Sequence, residues 1–419
     1  MKRWFLYLAW RNLWRNPRRT LIAMAAVALG YVMLITLASL LEGMRQQMVE
    51  NGTSLSLSHL QVHAPSYYPD RSIYESLGGP EGTDVQALRA TITADPRVHA
   101  AAPRVLSDGL ISYGEHSAGV EILGVLPDQE SRVTTLHTHI VQGSYLTEQV
   151  PKGIVMGDKL ATNIGAAVGS EVVLIAQAVD GSLGNDLYTV VGIFHAGLAT
   201  VDRGLVLLAL SAAQDFLVLT PGRIHEIAIA LSDLTEATGV ARDLEMRLGQ
   251  TLPVQVQAWP ELAPDLADYV RLHRSTTFIL FFIVFLLAAI GVMNTMLMAV
   301  LERRRELGML MALGMRPVQV VSLIMVEAAG LVGTSLLLGG GLATPLLWYL
   351  QVYGLDLRGF MQQVSIMGAV LEPIWYGRPD LLAYGQAAVG LAVVAVVAAL
   401  YPALRAAHCR VVEEMVQQV

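Results

Sequence analysis

The 419-residue chain contains three lysines, Lys2, Lys152 and Lys159, and none of them follows a glycine. The phosphate-cradling loop G-x-x-x-x-G-K-[ST] places its lysine directly after one, so this chain supplies no Walker A lysine. The single cysteine, Cys409, excludes an intrachain disulfide and a cysteine-based metal cluster. No H-E-x-x-H helix and no G-x-S-x-G elbow occurs, so no hydrolase motif is evident. Charge is scarce: 15% of residues, well under the roughly 25% usual in soluble domains. Apolar residues make up 54% and mean hydropathy is +0.50, so part of the chain belongs in lipid.

Crossing the hydrocarbon core as a helix takes about 20 apolar residues. Four stretches qualify: Thr20–Leu41, Ser275–Leu301, Pro317–Pro345 and Leu381–Leu404, with Glu327 their only charged residue. The first is a 22-residue apolar run, longer than the ~7–15 residues of a signal-peptide core, and is expected to be an uncleaved anchor. Residues 1–19 form a basic amphipathic segment with six Lys/Arg (Lys2, Arg3, Arg11, Arg15, Arg18, Arg19) and no acid, whereas residues 42–274 carry 14 basic and 27 acidic side chains. A basic end beside an acidic middle indicates two compartments and not a nucleic-acid binder. Arg303, Arg304, Arg305 and Arg316 follow the second run, and Arg405 and Arg410 the fourth. Segment 346–380 has only Arg358 and Arg378, offset by Asp356, Glu372 and Asp380. By the positive-inside rule, both termini, segment 302–316 and tail 405–419 are cytoplasmic, while 43–274 and 346–380 lie outside, as in a multi-pass protein of a bacterial inner membrane.

The fold class expected is four transmembrane helices (20–42, 275–301, 317–345, 381–404) with a large extracytoplasmic α+β domain between the first two. In that domain, strands are expected at Leu55–Val62, Val105–Tyr113, Val120–Val125, Glu171–Ala176, Tyr188–Phe194, Leu205–Leu210, Glu226–Leu231 and Val254–Ala258. Helices are expected at Asp84–Ala94, Asp158–Ile164, Ser211–Leu217 with Ser211 as N-cap, and Leu234–Leu248. A subdomain over about 128–222 is one reading. Met44–Val49 and Leu262–His273 would extend the flanking helices as a stalk.

The most informative stretch is IGVMNTMLMAVLERRRELGMLMALGM, Ile290–Met315. An apolar helix leaves the membrane at Leu301, a charged cluster (Glu302, Arg303, Arg304, Arg305, Glu306) follows, and a short amphipathic helix, Leu307–Leu313, ends at Gly314 as its C-cap. Leu307, Leu310, Met311 and Leu313 give it an apolar face that needs a partner or the lipid interface. Here the sequence resembles the FtsX/MacB permease superfamily, whose pattern is an Asn-containing apolar helix end, then ER-x-REIG-x-x-x-A-x-GA. Asn294, Glu302, Arg303, Arg305, Glu306, Leu307, Gly308, Ala312 and Gly314 match it, with Leu307 for Ile and Met315 for Ala. Leu323–Gly341 is similar to the family's third span, and Tyr401–Met415 to its tail, with Val411 in place of a proline. Gly143–Ile175 resembles a segment of LolC/LolE-type permeases through Gly157, Leu160, Ala161, Gly165, Gly169 and Val172, with Ser170 for Asp; Trp259 fits that group too. The extracytoplasmic domain is larger than that of FtsX, and the roughly twenty residues ahead of the first span leave no room for MacB's fused ATPase. The resemblance thus points to LolC/LolE and stand-alone MacB-like subunits.

The resemblance implies that Glu302–Gly314 is a coupling helix docking into a cytoplasmic ATPase dimer, which binds the ATP and magnesium. It further implies a second permease copy or paralogue, a periplasmic carrier or adaptor as a further partner, and a lipoprotein or other amphipathic cargo moved by mechanotransmission. The alternative is an FtsX-like signalling scaffold that regulates a periplasmic peptidoglycan hydrolase. No cofactor, catalytic residue or metal site is expected in this chain: His59/His63 and the strand-spaced His137/His139 are possible metal pairs, and surface or loop roles are the plainer reading. Glu327, an intramembrane acid, is a functional candidate by default, with bonding inside the bundle as the plainer reading. Gly330, Gly333, Gly339, Gly340 and Gly341 suit close helix approach. Met33, Leu37 and Leu40 in the first span, and Phe278, Phe281, Phe282 and Phe285 in the second, face lipid or the core by default; the sharper reading, carried by all of these but Phe281, is a substrate or dimer surface.

Overall fold

The computed structural model describes Tyr7 and residues 11–79, 82–359, 364–366, 369–371 and 373–408. Lys2, Arg3, Glu372, Cys409, Arg410 and Val411, and with them residues 1–6 and 8–10 of the amphipathic segment and 409–419 of the tail, lie outside the described residues. The chain divides into two compact units, Met1–Arg45 with Leu272–Phe360 and Pro373–Val419, and Gln46–Arg271 with Met361–Glu372.

In chain order, helix α1 spans Pro17–Gly52 and passes into a π-helical turn, Thr53–Leu57. There follow β1 (Leu60–His63), α2 (Val85–Thr93), β2 (Val98–Tyr113), β3 (His116–Val125), α3 (Pro127–Val133), β4 (Ile140–Gly143), β5 (Gly153–Gly157), α4 (Asp158–Ile164), β6 (Glu171–Gln177) and β7 (Leu183–Phe194). Next come α5 (Ala199–Gly204), β8 (Leu205–Ala209), α6 (Leu210–Phe216), β9 (Glu226–Leu231), α7 (Ala237–Leu248), β10 (Gln255–Ala258) and α8 (Trp259–Leu262). The chain ends with α9 (Pro264–Glu302), α10 (Arg304–Ala312), α11 (Pro317–Val352), four short strands, β11 (Leu355–Asp356), β12 (Val364–Ile366), β13 (Ala369–Leu371) and β14 (Ile374–Trp375), and α12 (Leu381–Ala407).

Among the described residues, four helices are long and apolar enough to cross a membrane: α1, α9, α11 and α12. Each contains one of the four apolar runs and continues past it. At 1.5 Å per residue, the 39 residues of α9 measure about 58 Å against a hydrocarbon core of about 30 Å. Starts are set by local chemistry. Pro317 opens α11 at a position where no N–H is needed. The Asp380 carboxylate accepts from the Leu382 and Ala383 amides at 2.9 and 3.2 Å and caps α12.

In the first unit, α1, α9, α11 and α12 bury one apolar cluster that includes Leu34, Val292, Val332, Leu391, Ala395 and Ala399. The glycines are not equivalent in it. A methyl group at Gly339 would meet the Ala28 carbonyl at 2.9 Å and the Tyr31 ring at 3.2 Å; among the described residues, at Gly330 it would meet only Leu13, and at Gly333 nothing. Gly339→Leu is therefore expected to push α11 off α1 and lower thermal stability, while Gly333→Ala is neutral or slightly stabilising, by up to ~1 kcal/mol of helix propensity. Paired melting curves in detergent check this, and equal melting points for the two variants would refute it.

The second unit is built on a ten-stranded sheet in the order β10-β1-β9-β2-β3-β8-β5-β7-β4, with β6 pairing with β2 and β7. The β3–β8 and β5–β7 pairs are parallel and the others antiparallel. Residues 128–222 supply β4–β8 to this same sheet, and its largest apolar cluster draws on residues inside and outside that range, Leu60 and Ile154 among them.

Several local expectations are corrected. Leu55–Val62 is not one strand: its first half continues α1 as the π turn, where Thr53 Oγ1 bonds back to the Val49 carbonyl at 2.8 Å, and Ser58 at φ 69° ends it. Strands β4 and β5 are additional; β5, GIVMG, is buried at every position and shows no alternation. Ser211 is not an N-cap, because β8 runs directly into α6 at Leu210 and no side chain caps it. Leu234–Leu248 is split into a 3-10 turn, capped by Asp233 on the Thr235 amide at 2.8 Å, and α7. His137 and His139 sit on a 3-10 turn, Leu136–His139, not on a strand, so their rings do not share a face. Segment 346–380 holds two short antiparallel ladders, β11–β14 and β12–β13.

Candidate functional site

Glu302 is the last residue of α9, and Arg303, at φ −105° and ψ 13°, breaks the helix before α10 begins at Arg304. The short helix thus starts three residues earlier than the apolar periodicity suggests, and Arg304, Arg305 and Glu306 form its first turn. Its end is a Schellman motif: the Gly314 amide donates to the Met311 carbonyl at 3.0 Å and the Met315 amide to the Leu310 carbonyl at 3.0 Å, with Gly314 at φ 101°. Only glycine adopts that conformation at little cost.

The apolar residues of α10 divide between two directions. Leu307, 4% exposed, packs with Val300, Val320, Ile324, Ala403 and Ala406 of the helical bundle, and Leu310 and Met311 adjoin them half-buried. Leu313 is 85% exposed and Met309 59%. The apolar residues of α10 left exposed are therefore Met309 and Leu313, and Met309 was not among the residues singled out by sequence.

The charged residues divide as well. Arg303 Nη1 lies 3.1 and 3.2 Å from the two Glu327 oxygens, and Asn12 Nδ2 donates to Glu327 Oε1 at 2.6 Å. Arg15 makes a two-pronged pair with Glu306 at 2.7 and 2.5 Å, and Arg303 Nε stands 3.5 Å from the same carboxylate. The hydrogen bond from Arg15 holds the Glu306 carboxyl below its ordinary pKa. Asn16 Nδ2 donates to Glu302 at 3.4 Å. Arg304 lines a cavity of about 440 Å³ with Leu301, Tyr401, Arg405 and His408, and Arg305 is exposed. So Arg303 and Glu327, far apart in sequence, form one buried pair, and Asn12 joins them from the N-terminal segment.

Two family models match the chain: the MacB-like periplasmic core domain over residues 20–247 and the FtsX-like permease C-terminal over residues 278–409. The chain belongs to the FtsX/MacB superfamily of ABC transporter permeases. The permease is similar to the lipoprotein-releasing system transmembrane protein LolC of Xylella fastidiosa, 27% identical over 96% of this chain and 95% of that one, and to LolC of Neisseria meningitidis, 26% identical over 94% and 93%. It is also similar to the macrolide export ATP-binding/permease protein MacB of Sodalis glossinidius, 24% identical over 80% of this chain and 52% of that one. Among solved structures, the periplasmic region of MacB from Actinobacillus actinomycetemcomitans matches at 13% identity with a TM-score of 0.35, covering 52% of this chain and 96% of that chain.

The remaining sites of the permease fall into place on this frame. Met33, Phe278 and Phe282 are exposed on their helices, while Leu37 and Leu40 are half-buried. Phe285 turns inward, where a methyl group at Gly390 would meet its ring at 2.9 Å. Of the apolar window of α9, 6% is buried by the described residues, against 33–44% for the other three spans, so the α9 window is the least covered of the four. His59 and His63 serve the fold: His59 Nδ1 accepts from the Leu231 amide at 2.9 Å, and His63 Nδ1 donates to the Ala64 carbonyl at 2.8 Å. Burial lowers the pKa of His59. In the α+β domain, a cavity of about 540 Å³ is lined by Gly52, Ser56, Asp108, Glu121, Val201 and Leu266 among others. Burial raises the Glu121 pKa against the opposing charge of Arg71, whose Nη1 is 3.2 Å away.

Proposed function

We propose that this permease subunit transmits the work of a separate cytoplasmic ATPase dimer, which holds the ATP and magnesium, to its α+β domain, and that the motion extracts or exports a lipoprotein or another amphipathic substrate. In this reading the termini and α10 are cytoplasmic, the α+β domain is periplasmic, and a second permease copy or paralogue completes the transporter. The observation that carries it is the construction of α10. Its Met309 and Leu313 are exposed for a partner, while Leu307 and the Arg15–Glu306 and Arg303–Glu327 pairs fasten it to the helical bundle. A helix held in this way passes displacement to the helices behind it. The similarity to LolC, a lipoprotein-releasing system transmembrane protein, favours lipoprotein as the cargo.

The test is a Met309→Glu/Leu313→Glu variant co-expressed with its ATPase. Loss of a desolvated apolar anchor costs about 2 kcal/mol or more, so ATPase retention is expected to fall at least ~10-fold while the permease still folds. ATPase binding and cargo-stimulated hydrolysis equal to wild type would overturn the assignment.

A further inference from the structure

We propose that Asp158, His195 and Asp202 form a binding site for a zinc-class divalent cation in the α+β domain, and that the ion fixes the wall of the 540 Å³ cavity. The three side chains come from different elements. Asp158 opens α4, His195 follows β7 directly, and Asp202 lies on α5. One ligand atom from each lies within 4.8 Å of the others. His195 Nδ1 is 2.9 Å from Asp158 Oδ2 and 3.7 Å from Asp202 Oδ2. Four ligands about 2.0–2.1 Å from a zinc ion, placed tetrahedrally, stand about 3.3 Å apart, and these two separations bracket that edge. An imidazole and two carboxylates are an N/O donor set suited to zinc.

An independent feature is the orphaned carboxylate. Asp202 is 0% exposed; its Oδ1 accepts from the Ala196 amide at 2.7 Å, but its Oδ2, aimed into the cluster, has no hydrogen-bond donor among the described residues. Asp158 Oδ1 is likewise buried without one. A buried carboxylate oxygen without a donor is costly and calls for a partner. Lys159 Nζ stands 3.7 Å from Asp202 Oδ2, outside hydrogen-bond reach, so it offsets one of two negative charges and leaves the oxygen unsatisfied. A cation bound by both carboxylates would satisfy both. His195 and Asp158 are half-buried, which leaves a solvent-facing side for a fourth ligand, water.

The backbone is shaped around this juxtaposition. Gly157 lies so close to the Asp202 backbone that a side chain at 157 would collide with it. That approach is what sets Asp158 beside Asp202. On α5, the neighbours Thr200, Val201 and Gly204 line the 540 Å³ cavity, so an ion tying α5 to α4 and to the end of β7 would hold that wall in one position.

The experiment uses the full-length permease in detergent, purified through a tag without histidine, stripped with EDTA and titrated with ZnSO₄. About one zinc per chain is expected to survive desalting, with a rise in melting temperature. His195→Ala, at a half-exposed position, and Asp202→Asn, which keeps the acceptor for Ala196, are each expected to abolish stoichiometric retention and the zinc-dependent rise while melting normally without metal. Lys159→Ala is expected to bind at least as tightly as wild type. Absence of stoichiometric zinc in the wild type, or equal retention by His195→Ala, would overturn the proposal and leave a plain His–Asp hydrogen bond beside a Lys–Asp pair. Because the readout is metal content, failure here is distinguishable from failure of the transport reading.

Discussion

Replacing Arg104 with methionine is expected to be the most destabilising single change in the α+β domain. Arg104, on β2, is 1% exposed, and its two partners, Glu130 on α3 and Glu226 on β9, are 1% and 0% exposed. Its Nη2 and Nε reach the two Glu130 oxygens at 2.6 and 3.1 Å, and its Nη1 reaches Glu226 Oε1 at 3.2 Å and the Ser56 carbonyl at 2.7 Å. Burial works against the guanidinium charge, but the two carboxylates more than offset it, and its pKa ends above the ordinary arginine value. Without the arginine, two carboxylates stay buried and unpaired, and the π turn that follows α1 loses the bond on Ser56. Breaking a buried pair from one side costs about 3–5 kcal/mol, a large part of the 5–15 kcal/mol that holds a typical domain together. A fall in melting temperature of about 10 °C is expected. Arg104→Met/Glu130→Leu/Glu226→Leu should recover most of it, because an apolar replacement of the whole group removes the desolvation penalty. A single variant that melts with wild type would show that water already solvates these carboxylates.

That triad also shows where sequence reading stops. The spans are legible because length and charge are one-dimensional: twenty apolar residues are needed whatever packs beside them. The second parts of the longer strands β2, β3 and β7 are legible from alternation, and α4 from the Gly157 before it; the first half of β2, Val98–Arg104, is buried nearly throughout and has no period. Strand β5 is not, because GIVMG is buried on both faces and a short continuous apolar run has no period. Arg104 reads in sequence as an ordinary strand arginine, since its partners are 26 and 122 residues away. Asp158 and His195 are separated by 37 residues, and only the approach of α5 to Gly157 joins them to Asp202. The family motif over Ile290–Met315 is legible as a motif, but its inner and outer faces are not: Leu307 and Arg303 look like their neighbours in the sequence and turn inward because α11 lies behind them.

If α10 couples a partner ATPase as proposed, Arg303→Ala is expected to uncouple the transporter without weakening its hold on that ATPase, the reverse of the Met309/Leu313 variant. Arg303 sits at the break between α9 and α10, 16% exposed at the side chain, and its charge is spent on Glu327, whose side chain is 7% exposed on α11. Among the described residues, Asn12 then remains to donate to Glu327. A carboxylate left without its cation in a bundle of apolar helices is costly, about 3–5 kcal/mol by the same reasoning as for Arg104. The bundle can lower that cost by letting α10 and the end of α9 come away from α11. The exposed Met309 and Leu313 survive the change, so ATPase binding stays near wild type. What is lost is the rigid link between α10 and α11, and with it cargo-stimulated hydrolysis. Glu327→Gln keeps the hydrogen-bond acceptor but leaves Arg303 with only the Glu306 carboxylate, 3.5 Å from its Nε, and should be intermediate. Arg303→Leu/Glu327→Leu restores packing without the directional link; it is expected to recover melting temperature but not stimulation. ATPase pull-down, melting curves and hydrolysis rates on the four proteins separate a packing role from a coupling role, and wild-type stimulation in Arg303→Ala would place the transmission path elsewhere.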